Sequence, residues 1–245
     1  MIRVCIAGIT GWIGKPLAEA IRTSDDLELV AGASRTLGTS VEDALTIPSD
    51  VFVDYTSATA VKANVLAAIA ARRHVVVGSS GLSDSDYAGI DAAARANDVG
   101  VIAVGNFAIS AALLQRFAAE AAKHMPSWEI IDSAHDAKVD APSGTARELA
   151  WRLSQVGAPQ VSVPLDQTFG PREARGATVS GSQIHSIRLP GHTIALEILF
   201  GREDERLSIR YEGGVGAQPY ISGTLLAIRR VQEFRGVVRG MDALI

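Results

Sequence analysis

Short apolar runs alternate with Ala-rich stretches of helical spacing through the N-terminal part of the chain. The runs are residues 2–7, 28–33, 51–55, 74–78 and 99–104. Between several of them lie 15–23, 60–71 and 83–97, where apolar residues recur at helical intervals. The runs are apolar at consecutive positions rather than alternate ones, so both faces of each strand need cover. Strand–helix–strand repetition of this kind predicts an α/β fold with a Rossmann-type, doubly wound parallel sheet. Residues 39–46 are too few for a regular crossover helix.

The pattern then changes. Residues 108–124 read as a long Ala/Leu-rich helix and 129–134 as a strand. A polar stretch, 135–144, leads into a helix running to about Ser154, and 156–177 reads as loop. Three alternating runs follow, 183–189, 193–200 and 205–211, joined by short turns. Consecutive strands with short turns predict antiparallel pairing in an open sheet. A last helix is expected over 223–234. The expected organisation is a dinucleotide-type domain over 1–106 and an α+β domain with a mixed, open sheet over 107–214. A C-terminal helical segment, 215–245, is expected to return to the first domain.

Composition narrows the function. Of 245 residues, 47% are apolar and 20% charged, and the net charge is −4. Without a basic excess, neither nucleic acid nor an anionic membrane is the expected partner. No apolar stretch approaches the ~18 residues of a membrane span. The start, MIRVCIAGITGWIGK, reads as a first strand and not as a signal peptide. A single cysteine, Cys5, excludes an internal disulfide and a cysteine zinc cluster. That usage fits a reducing, cytoplasmic setting.

The first run ends in Gly8-Ile9-Thr10-Gly11-Trp12-Ile13-Gly14, a G-x-x-G-x-x-G turn opening a helix. Glycines let backbone amides approach a pyrophosphate, and the helix start adds partial positive charge. The alternative is a tight turn that needs glycine only for packing. NAD sites place a carboxylate about 20 residues beyond such glycines. Here that place reads Ala33-Ser34-Arg35-Thr36, with no acid. Ser34 and Arg35 suit a 2′-phosphate, which predicts NADPH as cofactor, with NADH also admitted. Arg35 could instead be a solvated loop charge. Gly78-Ser79-Ser80-Gly81 and Gly105-Asn106-Phe107 close the fourth and fifth runs, where open sheets bind ligands.

The most distinctive stretch is Ser133-Ala134-His135-Asp136-Ala137-Lys138-Val139-Asp140-Ala141-Pro142-Ser143-Gly144-Thr145-Ala146. Ser143 and Thr145 are N-cap candidates, and Thr145 with Glu148 has capping-box spacing. The first amides of such a helix suit a substrate carboxylate, and His135 and Lys138 supply donors nearby. These residues could equally cap a helix and charge a surface. Arg188 suits either a substrate carboxylate or a structural ion pair. His185 and His192 lack a third metal ligand, so no metal is expected.

Lys138 to Ala146, KVDAPSGTA, resembles the hallmark stretch of the 4-hydroxy-tetrahydrodipicolinate (dihydrodipicolinate) reductase family. The resemblance extends to the glycine turn, VDYT at 53–56, GSSG at 78–81, GNF at 105–107, IHSIRLPG at 184–191 and GTLLAIRRV at 223–231. It implies NAD(P)H-dependent hydride transfer to a cyclic imine dicarboxylate in lysine and diaminopimelate synthesis. It also implies a homotetramer whose substrate domain carries the oligomer contacts and closes on the nucleotide domain by hinge motion. By resemblance, Gly8, Thr10, Gly11, Trp12, Ile13, Ser34, Arg35, Gly78, Ser79, Ser80, Gly105, Asn106 and Phe107 contact the cofactor. His135, Ser143, Gly144 and Thr145 bind substrate, with Lys138 and His135 catalytic and Lys138 the proton donor.

The chain departs from the family pattern at Ala134, where the family carries the first of two histidines, its acid/base. It departs again at Trp12-Ile13 and across 210–216. The alternatives are a paralogue reducing another imine or enoate, or a non-catalytic NADPH sensor.

Overall fold

Strand β1 (Ile2–Ala7) is inaccessible to solvent from Val4 onward, as an apolar run covered on both faces must be. In the computed structural model, which describes residues 1–241 and 243–245, it is followed by α1 (Gly14–Arg22), β2 (Leu27–Ala33) and α2 (Val41–Leu45). Next come β3 (Val51–Asp54), α3 (Val61–Ala70), β4 (His74–Val77), α4 (Asp84–Ala96) and β5 (Gly100–Ala103). The chain continues through α5 (Ile109–Ala122), β6 (Ser127–Ala134), α6 (Gly144–Ser154), β7 (Ala177–Val179) and β8 (Ser182–Arg188). It ends with β9 (Ile194–Arg202), β10 (Glu205–Gly213), α7 (Gln218–Arg230) and β11 (Gly236–Arg239).

Two units result: Met1–Ile109 with Gly216–Ile245, and Ser110–Val215. The first holds a six-stranded sheet in the order β11-β5-β4-β3-β1-β2, parallel throughout. The chain leaves β1 toward β2 on one side and returns to β3 on the other. A doubly wound sheet binds ligands at such a reversal, beyond the carboxyl ends of the strands. Phe52, Val65, Ile69, Val75 and Ile90 lie in the core of this unit.

Three features of this unit differ from the expectations. Residues 41–45 do form a helix, because Ser40 and Asp43 make a reciprocal capping box that supports a turn too short to show periodicity. Helix α7 begins at Gln218, before the expected 223, with Pro219 in its first turn. Gly223 lies inside it, where a Cβ would collide with the Phe107 carbonyl. The chain then adds a further strand, β11, whose Val237 amide donates to Asp91.

The second unit holds a mixed sheet in the order β10-β9-β6-β8-β7. A mixed sheet was the expectation, with consecutive strands paired antiparallel across their short turns; β9 and β10 pair so, but β8 and β9 do not. Instead β8 and β9, consecutive in sequence, straddle β6, which pairs parallel with β8 and antiparallel with β9. The turn between them passes over the end of β6: the Leu189 amide donates to the Ala134 carbonyl, and the His135 amide to Thr193. The expected loop 156–177 runs into a three-residue strand, β7. A two-residue turn with positive φ at Ser180 and Gly181 joins it to β8. Trp128, Ile130, Ile198 and Phe200 point to the buried face, and Trp128 donates to Ser182 at 2.9 Å. Helix α6 lies against β6 and β8.

His74, at the start of β4, accepts a 2.9 Å hydrogen bond from the Gly100 amide through Nδ1, so its ring is neutral there. Burial, then the Arg235 charge, holds its pKa below the ordinary value. Below about pH 6.5 the unfolded chain therefore binds the proton first, and stability drains as pH falls toward the folded-state value. His74→Asn keeps an acceptor and removes the titration. Its melting temperature should fall less than the wild type's between about pH 7.5 and 5.5. Equal falls would exclude His74 as the group.

Candidate active site

At the end of β1 the backbone closes on itself. Gly8 has φ +82, and a Cβ there would collide with the Tyr55 carbonyl oxygen that follows β3. A Cβ at Gly14 would collide in turn with the Gly8 carbonyl. The Gly11 amide donates to Gly8 O at 2.9 Å and closes the turn. Helix α1 then starts with Ile13 as its N-cap, no side-chain cap and no acid in its first turn. The Lys15 amide donates to Gly11 O at 3.0 Å and Pro16 has none, so the turn and Gly14 are what this helix start offers an anion.

Beside this turn lies a cleft of about 350 Å3. Gly8, Thr10 and Gly11 line one side, Ser34 and Arg35 another, and Thr56 and Ser57 a third. Ser34 accepts from the Leu37 amide at 3.1 Å and shapes the loop after β2, leaving Arg35 exposed. No carboxylate lines the cleft among the described residues. Five of the expected cofactor residues thus come together. Trp12 does not join them: it is 59% exposed and stands edge-on to Tyr220, with ring centres 5.6 Å apart. Ile13 serves as the N-cap.

The other expected cofactor residues sit beyond β4 and β5. Gly78 is required because a Cβ would enter the Tyr55 ring. The Ser79 hydroxyl is taken up within the fold, donating to Asp54 at 2.5 Å and accepting from the Thr56 amide at 2.7 Å. Ser80 and Gly105 are exposed. Asn106 is buried, its Oδ1 accepting from the Ala108 amide at 2.9 Å. Phe107 is 2% exposed and packs edge-on to Tyr55. Side chains at 106 and 107 are therefore core groups, and only their backbone faces outward chemistry.

Asp54 was not among the expected site residues. It is buried, and it accepts from Thr56 Oγ1 (2.9 Å) and Asn64 Nδ2 (2.8 Å) as well as Ser79. One carboxylate thus ties the ends of β3 and β4 to α3. An acid closing an otherwise apolar strand, V-D-Y-T, is the sequence signal for it.

In the second unit, β6 ends in the buried Ala134, and His135 is exposed beyond it. The Lys138 Nζ lies 2.6 Å from Asp140 Oδ1. Burial pushes the Asp140 carboxyl up, but the hydrogen bond and charge of Lys138 outweigh it and hold the pKa below the ordinary value. The Asp140 carboxylate is therefore ionised at neutral pH. A cis bond joins Ala141 to Pro142. Ser143 is the N-cap of α6, accepting from the Ala146 amide at 3.2 Å. This corrects the alternative cap: Thr145 is already inside α6, because Gly144 takes helical geometry first. No acid stands in the first turn of α6. Arg188 resolves as a structural ion pair, 2.8 Å from the buried Asp132. His185 pairs with Glu129 at 2.7 Å. The described residues contain no cluster able to hold a metal, and no helix among them is long and apolar enough to cross a membrane.

Family models described as "Dihydrodipicolinate reductase, N-terminus" and "Dihydrodipicolinate reductase, C-terminus" match residues 2–107 and 110–245. The chain belongs to the dihydrodipicolinate reductase family. A 4-hydroxy-tetrahydrodipicolinate reductase of Coxiella burnetii is 36% identical, over 100% of this chain and 99% of that protein. The corresponding protein of Desulfitobacterium hafniense is 33% identical, over 98% and 97%. The solved structure of a dipicolinate-bound dihydrodipicolinate reductase from Paenisporosarcina sp. TG-14 superposes with a TM-score of 0.80. It is 30% identical and covers 100% of both chains. GenD2 of gentamicin A biosynthesis, 15% identical over 98% of this chain and 89% of its own, has a TM-score of 0.66 and shares the fold. As a dihydrodipicolinate reductase, the chain is an NAD(P)H-dependent oxidoreductase with a Rossmann-type domain for a nicotinamide cofactor.

The Asp54 network yields a test. Asn at position 54 has one accepting oxygen where the carboxylate has two, so buried donors lose a partner. Asp54→Asn should destabilise the protein by about 1–3 kcal/mol in chemical denaturation. It should also weaken binding of the nicotinamide cofactor. An unchanged midpoint would mean the network contributes nothing.

Proposed function

We propose that the chain reduces 4-hydroxy-tetrahydrodipicolinate, a cyclic imine dicarboxylate of lysine and diaminopimelate biosynthesis, with NADPH as the preferred reductant. The observation that carries this is local. One loop places the Lys138–Asp140 ion pair and the acid-free start of α6 within a few residues of each other. An ammonium beside a helix start suits a carboxylate-bearing electrophile. The dipicolinate named with the Paenisporosarcina structure is a dicarboxylate of that kind.

The roles follow from the chemistry. Gly8, Thr10 and Gly11, with the amides of Trp12 and Ile13, hold the pyrophosphate. Ser34 and Arg35 hold the 2′-phosphate, and the carboxylate-free cleft supports NADPH over NADH. Backbone at Gly78, Ser79, Ser80, Gly105, Asn106 and Phe107 flanks the nicotinamide half. When bound, that ring would supply a hydride to the ring of the conjugated imine that forms as the 4-hydroxyl leaves as water. Ser143 and the amides of Gly144 and Thr145 hold a substrate carboxylate. Lys138, held 2.6 Å from Asp140, stabilises the electron density arriving on the substrate ring and donates a proton to it, with His135 as a second donor. The first unit is thus the nucleotide-binding part and the second the substrate part. The sheet face opposite Trp128 leaves Ile187 and Leu199 more than a third exposed, which supports an oligomer contact there and a homotetramer.

Ala134 favours a second reading. It is wholly buried and carries no proton. A related imine or enoate that needs only Lys138 and His135 would fit the same site.

A coupled assay decides between the two. The dipicolinate precursor is generated from aspartate semialdehyde and pyruvate, and NADPH absorbance is followed. Turnover is expected, and Lys138→Ala should lower it by about 10²–10⁴. Tight NADPH binding without turnover would move the assignment to the second reading. Arg35→Ala should lower the NADPH-to-NADH ratio of kcat/KM by about tenfold or more. An unchanged ratio would remove Arg35 from the cofactor site.

A further inference from the structure

The end of β6 holds a buried ion pair that the proposed chemistry does not use. Asp132 is 1% exposed and the side chain of Arg188, at the end of β8, 15%. Every Nη hydrogen of Arg188 is spent inside this unit. Nη1 donates to the carbonyls of Asp132 (3.0 Å) and Ile187 (2.8 Å). Nη2 donates to Asp132 Oδ2 (2.8 Å) and to the Asp140 carbonyl (2.7 Å). The remaining N–H, on Nε, is buried. A guanidinium has five N–H donors in a rigid fork, so no outward donor is left for a substrate.

The same pair grips the polar loop at two points. Asp132 Oδ2 accepts from the Ser143 amide at 2.8 Å, immediately before α6, and from Ser186 Oγ at 3.2 Å. Arg188 holds the backbone of Asp140, the residue whose carboxylate holds Lys138. The ammonium and the helix start are therefore referenced to one buried charge pair.

We infer that Asp132 and Arg188 are positioning residues that fix Lys138 and the first amides of α6 in one geometry, without contacting the substrate. The inference rests on the proposed role of Lys138. Lysine at 188 keeps the charge but offers a compact head where the fork spans four acceptors. The loop would then drift from its place, and a misplacement near 1 Å costs about 10²-fold in rate.

The test compares wild type, Arg188→Lys and the neutral double variant Asp132→Asn/Arg188→Met, which leaves no unpaired buried charge if the single variant fails to fold. In either variant kcat for the imine should fall about 10- to 100-fold, with the KM for NADPH within about twofold of wild type. Amide exchange at Ser143–Ala146 should accelerate. Dipicolinate and picolinate, with two carboxylates and one, serve as binding probes. Both should weaken by a similar factor. A loss confined to dipicolinate would make Arg188 a substrate ligand and overturn the inference. So would unchanged kcat or unchanged exchange in a folded variant. If wild type neither turns over the imine nor binds either probe, the proposed function fails, while the exchange measurement still judges the brace.

Discussion

Three stretches of backbone meet at the mouth of the first sheet: the end of β1 at Gly8, the start of α1 at Gly14, and the Tyr55 carbonyl after β3. No side-chain carbon fits between them. The winding of the chain reverses between the paired strands β1 and β3, and the connections that leave them are held in direct contact here. Close approach pins the helix start against the strand end, and the cleft beside it inherits its shape from that contact. Gly78 against the Tyr55 ring and Gly223 against the Phe107 carbonyl extend the same logic outward. Main chain, not side chain, is the rigid material of the cofactor side.

Each unit then sets its polar chemistry on one buried carboxylate at the end of a strand. Asp54 gathers Thr56, Ser79 and Asn64 after β3; Asp132 gathers Ser143, Ser186 and Arg188 after β6. Both Asp54 oxygens accept hydrogen bonds, whereas all three donors to the Asp132 carboxylate converge on Oδ2. A buried carboxylate is costly to leave unsatisfied, so the loops that supply its donors are held to one arrangement. Residues such as Arg35, His135 and Ser80 stand exposed on this frame.

Much of the fold was legible because strands covered on both faces leave continuous apolar runs, as at 51–54 and 74–77. What escaped was short or depended on partners far away in sequence. Helix α2 rests on the Ser40–Asp43 cap, and β7 on the turn at Ser180-Gly181; both signals are two residues long. The insertion of β6 between β8 and β9 depends on pairing that no local pattern encodes. At the candidate site, the glycine turn and the loop from Lys138 to Thr145 stood out from residue type alone. The roles of Asp54 and Asp132 were not, since an acid in sequence reads as solvated until burial is seen. Arg188 was ambiguous for the same reason, and its partner on a neighbouring strand decided it.

The first unit is discontinuous: Ser110–Val215 interrupts it, and α7 and β11 arrive only at the end. During synthesis the second unit therefore has all its residues while the first still lacks an edge strand and a covering helix. Until then β5 presents an unpaired edge, with the hazard of wrong pairing that such an edge carries. The sheet of the first unit is thus begun before the second unit is made and completed after it, so a change at β11 falls on the unit that β1 opens.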